Sequence, residues 1–530
     1  MGINYGKNLS TKKTPQGQPI FGKDMVQNNA GGFVFKTDPW VVLDRFLILG
    51  TEGGTYYCSE AKATVKAGDN VVACIKLDGE KALKRIIEVS DKGLCIKNDS
   101  CIIALALCMV HGTVRVRQEA YSSISKVCRI GTHLFHLASY LEDLGKGWSR
   151  GSRRGFANWY LNRKTDSLVD QVLKYRQRDG WSHRDILRLA HPVATNPETK
   201  SIFNWVTKRE QLKAVQAKIT AFEELQKLDP TTEGSIDKAC ALITEHGFQR
   251  EMVPTPFLNQ VKIWEALLPN MGLTAIIRNL GVLTANGTLT PLASTTLKVI
   301  ETLENPEVVA KSRIHPMTVL LAIKNYSHGQ GLRGATIWKP IQGIEDALEN
   351  TLQLAYKNSP PTNKRFFLGI DVSGSMSSYS SGNITAAEAA AATAAVIAKR
   401  EKNYVMMGFS GTFIDLGFTA KDSMQTILTK TADLNFGYTN CALPMIYALE
   451  KKIPVDVFVV LTDNETWHGN IHPTQALAAY NKLMGRVAKL VVVGFTATEF
   501  SIAEQGNPNM LDIVGMDPSF MEAIEKFAVM

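Results

Sequence analysis

At 530 residues the chain exceeds what one hydrophobic core usually supports, so two or more folding units are expected. Apolar side chains make up 45% and charged ones 21%, which excludes a fibrous or wholly disordered chain, and no apolar run reaches membrane-spanning length. The formal charge of +9 is unevenly spread: residues 361–530 carry 13 basic and 16 acidic side chains, net −3, leaving +12 on residues 1–360. A basic body joined to a mildly acidic domain directs any polyanionic partner to the first part.

In chain order, residues 1–30 are rich in Gly, Asn, Gln and Lys without periodicity and read as a flexible arm. From 31 to 355 the signals are helical. Asp38-Pro39 makes an N-cap with Pro at the first helical position, opening a helix with Val42, Leu43, Phe46 and Leu47 inside and Gly50 at its end. Thr132 opens another, with Leu134, Leu137, Leu141 and Leu144 at helical spacing, and Pro316 starts a third. Nothing in this region alternates with the period of strands. Stacked helical pairs of the HEAT type are therefore expected, in a multidomain, initially all-α architecture.

Pro360-Pro361 breaks the pattern and marks the domain boundary. Beyond it, FFLGID (366–371), YVMMGFS (404–410), VDVFVVLTD (455–463) and KLVVVGFTA (489–497) alternate with helical stretches such as 385–400. Strands that are apolar on both faces and alternate with helices predict a doubly wound α/β domain over 361–530.

In such sheets, ligands gather at the carboxyl ends of the strands. DVSGSM follows one strand and supplies Asp371, Ser373 and Ser375; TDNE follows another and supplies Thr462 and Asp463; FGYTN offers Thr439 from a third loop. Oxygen donors without Cys or His suit hard cations, Mg²⁺ first, with Mn²⁺ or Ca²⁺ as alternatives. Helix capping explains one of these loops but not three together.

The run KYRQRDGWSHRDILRLAHP (174–192) is the most informative in the basic body. Ser182 and Asp185 have capping-box spacing, so a helix begins near His183 and places Arg184, Arg188 and His191 on one face. Lys174, Arg176 and Arg178 precede it, and His183 with the helix amino terminus adds donors for a phosphate. A second basic stretch contains Arg150, Arg153 and Arg154, followed by Trp159-Tyr160, aromatics that more often serve a core than a nucleobase. Arg278, in LTAIIRNLG, points away from its own helix's apolar side.

D-x-S-x-S, the central Thr and the later T-D resemble the metal-ion-dependent adhesion site of von Willebrand factor A domains. That resemblance makes Ser373, Ser375 and Thr439 direct ligands and Asp371 and Asp463 water-mediated ones. Adding GTEGGTYYC, VCRIGTHLF, LTAIIRNLG and HGQGLRG, nearly the whole chain resembles the Ro autoantigen family built on the TROVE module. The resemblance implies a closed ring of HEAT-like pairs over 31–355 joined to the A domain. It further implies Y-type small RNA on the basic outer surface, single-stranded 3′ ends of misfolded RNA in the ring, and an acidic protein partner at the metal, an exoribonuclease among the candidates. FGYTN departs from the family's usual Gly-Thr-Asp, which removes a carboxylate at Asn440.

The expected function is non-catalytic RNA binding in RNA quality control and ribonucleoprotein assembly, since no nucleophile–base pair or phosphate-cradling Gly loop occurs. A metal-dependent protein-assembly scaffold is the alternative. Eight cysteines without C-x-x-C spacing, and an amino terminus without an apolar signal core, point to the cytoplasm and to no membrane partner.

Overall fold

A computed structural model describes residues 13–50, 60–207, 217–331, 336–356, 361–377, 379–381, 384–434, 437–518 and 520–529. Parts of the segments 50–58 and 328–334, and of the domain break, lie outside these. Among the described residues, no helix is long and apolar enough to cross a membrane.

The helices begin where local chemistry places them. Asp38 caps Pro39–Leu49 by accepting from the Trp40 N–H, and Val42, Leu43, Phe46 and Leu47 are buried. Gly131–Asp143 starts one residue before Thr132, and Leu144 falls just past its end, 38% exposed. Pro316–His328 begins at its proline. Successive helices pack on one another: Pro39–Leu49 on Glu60–Lys92, that helix on Asp99–His111, and Arg150–Leu161 on His183–Ala190.

The helical array returns to its beginning. The His315 Nε2 donates to the Leu94 carbonyl at 3.1 Å while its Nδ1 accepts from the Met317 N–H, capping Pro316–His328. Beside it, Arg313 donates to the Asp91 carbonyl. Contacts across 222 residues thus join the two ends.

The carboxyl-terminal domain is a six-stranded sheet in the order Met510–Val514, Lys489–Gly494, Val457–Thr462, Arg365–Asp371, Asn403–Phe409 and Phe413–Ile414, parallel except for the last strand. Val457–Thr462 is buried throughout, as expected for a strand covered on both faces. Thr385 and Glu388 form a capping box that starts helix Ala386–Arg400, whose alanines let it lie close on the sheet.

Two expectations are corrected. Described residues of the supposed flexible arm are bound to the carboxyl-terminal domain: Met25–Gln27 pairs with Phe33–Lys36, which pairs with Phe500–Ser501. Strands also occur before residue 355, because the four residues Phe33-Val34-Phe35-Lys36 suffice once a distant edge accepts them. Short hairpins such as Gln177–Arg178 with Trp181–Ser182 leave no periodic signal.

A buried guanidinium fixes the first helix to this domain. Arg45, fully buried, donates twice to Asp512 at 2.8 Å and also to the Thr498 and Phe500 carbonyls at 2.7 and 2.9 Å. Removing one partner of such a pair strands the other, so Arg45→Ala is expected to cost about 3–5 kcal/mol, read as a lower urea midpoint. Lys23→Ala, at the solvent-exposed pair with Glu504, is expected to cost less than about 1 kcal/mol.

Candidate metal centre and basic helices

Asp371 ends one central strand and Thr462 ends its parallel neighbour, so register alone brings their loops together. The Thr462 hydroxyl donates to Asp371 Oδ2 at 2.6 Å, and the Ser373 N–H donates to Asp371 Oδ1 at 3.0 Å. Ser373 and Ser375 hydroxyls lie 3.3 Å apart. Asp371, Ser373, Ser375, Thr439 and Asp463 are all buried. Burial and the neighbouring Asp463 push the Asp371 carboxyl up to about 7, and burial likewise raises Asp463. Two buried carboxylates surrounded by hydroxyls form a donor set that fits a hard divalent cation. Among the described residues no three His, Cys, Asp or Glu side chains converge, so a metal here depends on those hydroxyls.

The amino-terminal segment braces these loops, which the sequence reading missed. Buried Gln16 donates to Asn440 Oδ1 at 2.7 Å and to the Ile471 carbonyl at 2.9 Å, while accepting from the Thr466 hydroxyl. Asn28 donates to the Thr466 carbonyl at 2.7 Å, and Asn29 and the Ala30 N–H donate to Glu465. A Cβ on Gly32 would lie 2.0 Å from the Thr466 carbonyl oxygen, so only glycine permits this approach. Asn440, where the family resemblance leads one to expect a carboxylate, is committed to Gln16 and to the Ala442 N–H. On the rim beside Thr439, Tyr438 is 55% exposed and stacks on His468 at 5.1 Å.

The predicted RNA residues divide. Arg150, Arg153, Arg154 and Arg188 are exposed on two helices that pack together. Ser182 and Asp185 do form the capping box. Arg184 is half-buried. Arg176 and Arg178 are exposed, the first over the Phe222 ring and the second 3.6 Å from Asp179. Lys174 is half-buried, bonded to Gln249 and 3.7 Å from Glu251. Arg278 is exposed on Leu273–Ala285, which packs against Pro306–Ser312 and Pro316–His328 instead.

Two histidines are corrected. His191 is the C-cap, in a left-handed conformation at φ 47°, so it leaves the helical face it was assigned to. His183 is buried rather than turned to a phosphate: its Nδ1 meets the Tyr160 hydroxyl at 2.8 Å and its Nε2 meets the Gln171 carbonyl at 3.3 Å. Trp159 and Tyr160 are buried around it, as core aromatics.

Burial lowers His183 to about 4, and His133 and His315 each to about 3. A histidine depressed below its unfolded value of about 6.5 contributes stability that is present above that pH and is lost on acidification toward the folded value. The urea midpoint is therefore expected to fall from pH 6.5 to about 4, with a shallower slope in His183→Gln.

Residues 26–246 and 244–328 match the family model described as the TROVE domain, and residues 365–528 match the Ro60 vWA domain. A protein of Deinococcus radiodurans named RNA-binding protein RO60 is 38% identical, over 98% of this chain and 99% of its own. One of that name from Caenorhabditis elegans is 31% identical, over 97% and 92%. The crystal structure of the Deinococcus radiodurans RO (RSR) protein superposes with a TM-score of 0.68 at 37% identity, covering 93% of this chain and 99% of that one. This chain belongs to the Ro60 family, a TROVE helical domain followed by a Ro60-type von Willebrand factor A domain.

Proposed function

We propose that this chain is a non-catalytic RNA-binding protein that holds RNA on its helical body and a divalent cation in its carboxyl-terminal domain. The observation that carries the reading is the set of exposed arginines, Arg150, Arg153, Arg154 and Arg188, presented together by two packed helices of a TROVE domain. Guanidinium groups on a basic body of net +12 suit phosphates, and relatives over the full length are named RNA-binding proteins. Y-type small RNA is assigned to this outer face. Single-stranded 3′ ends of misfolded RNA are assigned to the opening of the array, with Arg278 at that site, in RNA quality control and ribonucleoprotein assembly.

Mg²⁺ is the favoured cation at Asp371, Ser373, Ser375, Thr439 and Asp463. When bound, it supplies an open position for the carboxylate of an acidic protein partner, for which an exoribonuclease is a candidate. Exposed Tyr438 and His468 give that partner an aromatic surface beside the ion. Seven free cysteines among the described residues fit a cytoplasmic location.

Two measurements test the division of labour. Mg²⁺ at a hundredfold excess over its dissociation constant is expected to stabilise the protein by about 2.7 kcal/mol, and Asp371→Ala to abolish the gain. A melting temperature indifferent to Mg²⁺ and Mn²⁺ removes the metal. Losing Arg184 and Arg188 together is expected to flatten log affinity against log salt by roughly 1.4 to 1.8 units for a structured small RNA. An unchanged slope in filter binding, with circular dichroism unaltered, would reduce these arginines to a solvated face.

A further inference from the structure

We propose that the cavity walled by Trp148 and Trp181 is a nucleobase pocket, taking one unpaired base of a bound RNA. It lies where helix Gly131–Asp143, the start of helix Arg150–Leu161 and the hairpin carrying Trp181 meet, with a volume of about 260 Å³. That is below the ~300–1,000 Å³ of pockets for drug-sized ligands and suits one planar ring system.

The wall is aromatic. Trp148 lies 5.7 Å from Trp181 and 4.8 Å from Phe156, and both tryptophans are half-buried, leaving ring surface open to the cavity. Their indole N–H groups are also available. Trp159, Trp205, Trp264 and Trp338 each donate to a protein acceptor, whereas Trp148 and Trp181, like Trp40 and Trp467, have none among the described residues. The carboxylate of Glu142, on the same wall, can accept from a base amino group.

The rim selects the ligand. Lys146 lines the cavity, and Arg178 is paired across the hairpin with Trp181. Lys146 is in no ion pair among the described residues, so it remains available to a phosphate beside an inserted base. Stacking platforms edged by cations are the usual means of holding single-stranded nucleic acid. An apolar protein side chain would use the rings but not these charges.

This proposal rests on the RNA reading above, and the test separates the two. Full-length protein is irradiated with a single-stranded, uridine-rich RNA carrying 5-iodouridine, and the adducts are mapped by mass spectrometry. Adducts on Trp148 or Trp181 are expected. Trp181→Ala is expected to weaken that RNA by roughly 5- to 150-fold, the range for losing one base–aromatic stack, with Trp181→Phe retaining most of the affinity. RNA that binds Trp181→Ala as tightly as the parent protein, with adducts only at other residues, overturns the pocket and leaves the cavity to a protein side chain. Failure of the unaltered protein to bind RNA at all overturns the underlying reading as well.

Discussion

Everything in this structure depends on how the carboxyl-terminal domain is held by a helical array that it follows in sequence, and the central interaction is the buried Arg45–Asp512 pair. A guanidinium taken out of water is costly unless its donors are met, and the two terminal nitrogens of Arg45 meet both carboxylate oxygens of Asp512, on the sheet's edge strand, and the Thr498 and Phe500 carbonyls. At the other end of the array, Lys324 pairs with buried Glu388 at 2.6 and 2.9 Å. Glu388 is at the same time the capping-box residue of helix Ala386–Arg400. The early and late helices are therefore tied to one domain by ion pairs in each of which one partner is fully buried.

The same logic explains the amino-terminal segment. Loops at the carboxyl ends of parallel strands carry backbone and side-chain groups that the sheet does not satisfy, and here Gln16, Asn28, Asn29 and the Ala30 N–H supply the missing partners. Burial and Asp463 push Glu465 up to about 8, and its two contacts with the segment partly offset that desolvation. The loops bearing Thr439 and Asp463 are thus held in place by the protein itself, which leaves less to be ordered by the ion proposed for that site.

How much of this was legible follows from range. Helix starts at Asp38-Pro39 and Pro316, and the buried run 457–462, are decided by neighbours within a few residues, and the sequence reading found them. The three oxygen-bearing loops were legible because strand ends in a parallel sheet converge whatever the loops contain. Gln16 was not, since its partners lie more than 420 residues away and nothing local distinguishes it from a solvated glutamine. His183 sat at a helix start in either reading; only the Tyr160 hydroxyl and the Gln171 carbonyl decide that it faces inward. Likewise Trp159 follows the arginines directly yet is fully buried, whereas Trp148 precedes them and keeps an open face because its partner Trp181 arrives on a hairpin.

The seam that closes the array is built from a different kind of contact than the surface proposed to meet RNA. His315 accepts at Nδ1 and donates at Nε2, which fixes one neutral tautomer; protonation would remove the acceptor that caps Pro316–His328. Burial holds it near 3, so it stays neutral throughout the physiological range. A buried hydrogen bond between neutral groups is little affected by mobile ions, whereas exposed arginines on phosphates are screened within about 10 Å at 0.1 M salt. Ionic strength therefore acts on the exposed arginines proposed to meet RNA while leaving His315 in place. The exposed Arg313–Asp91 pair at the same seam is the only part of that closure, among the contacts described, open to screening.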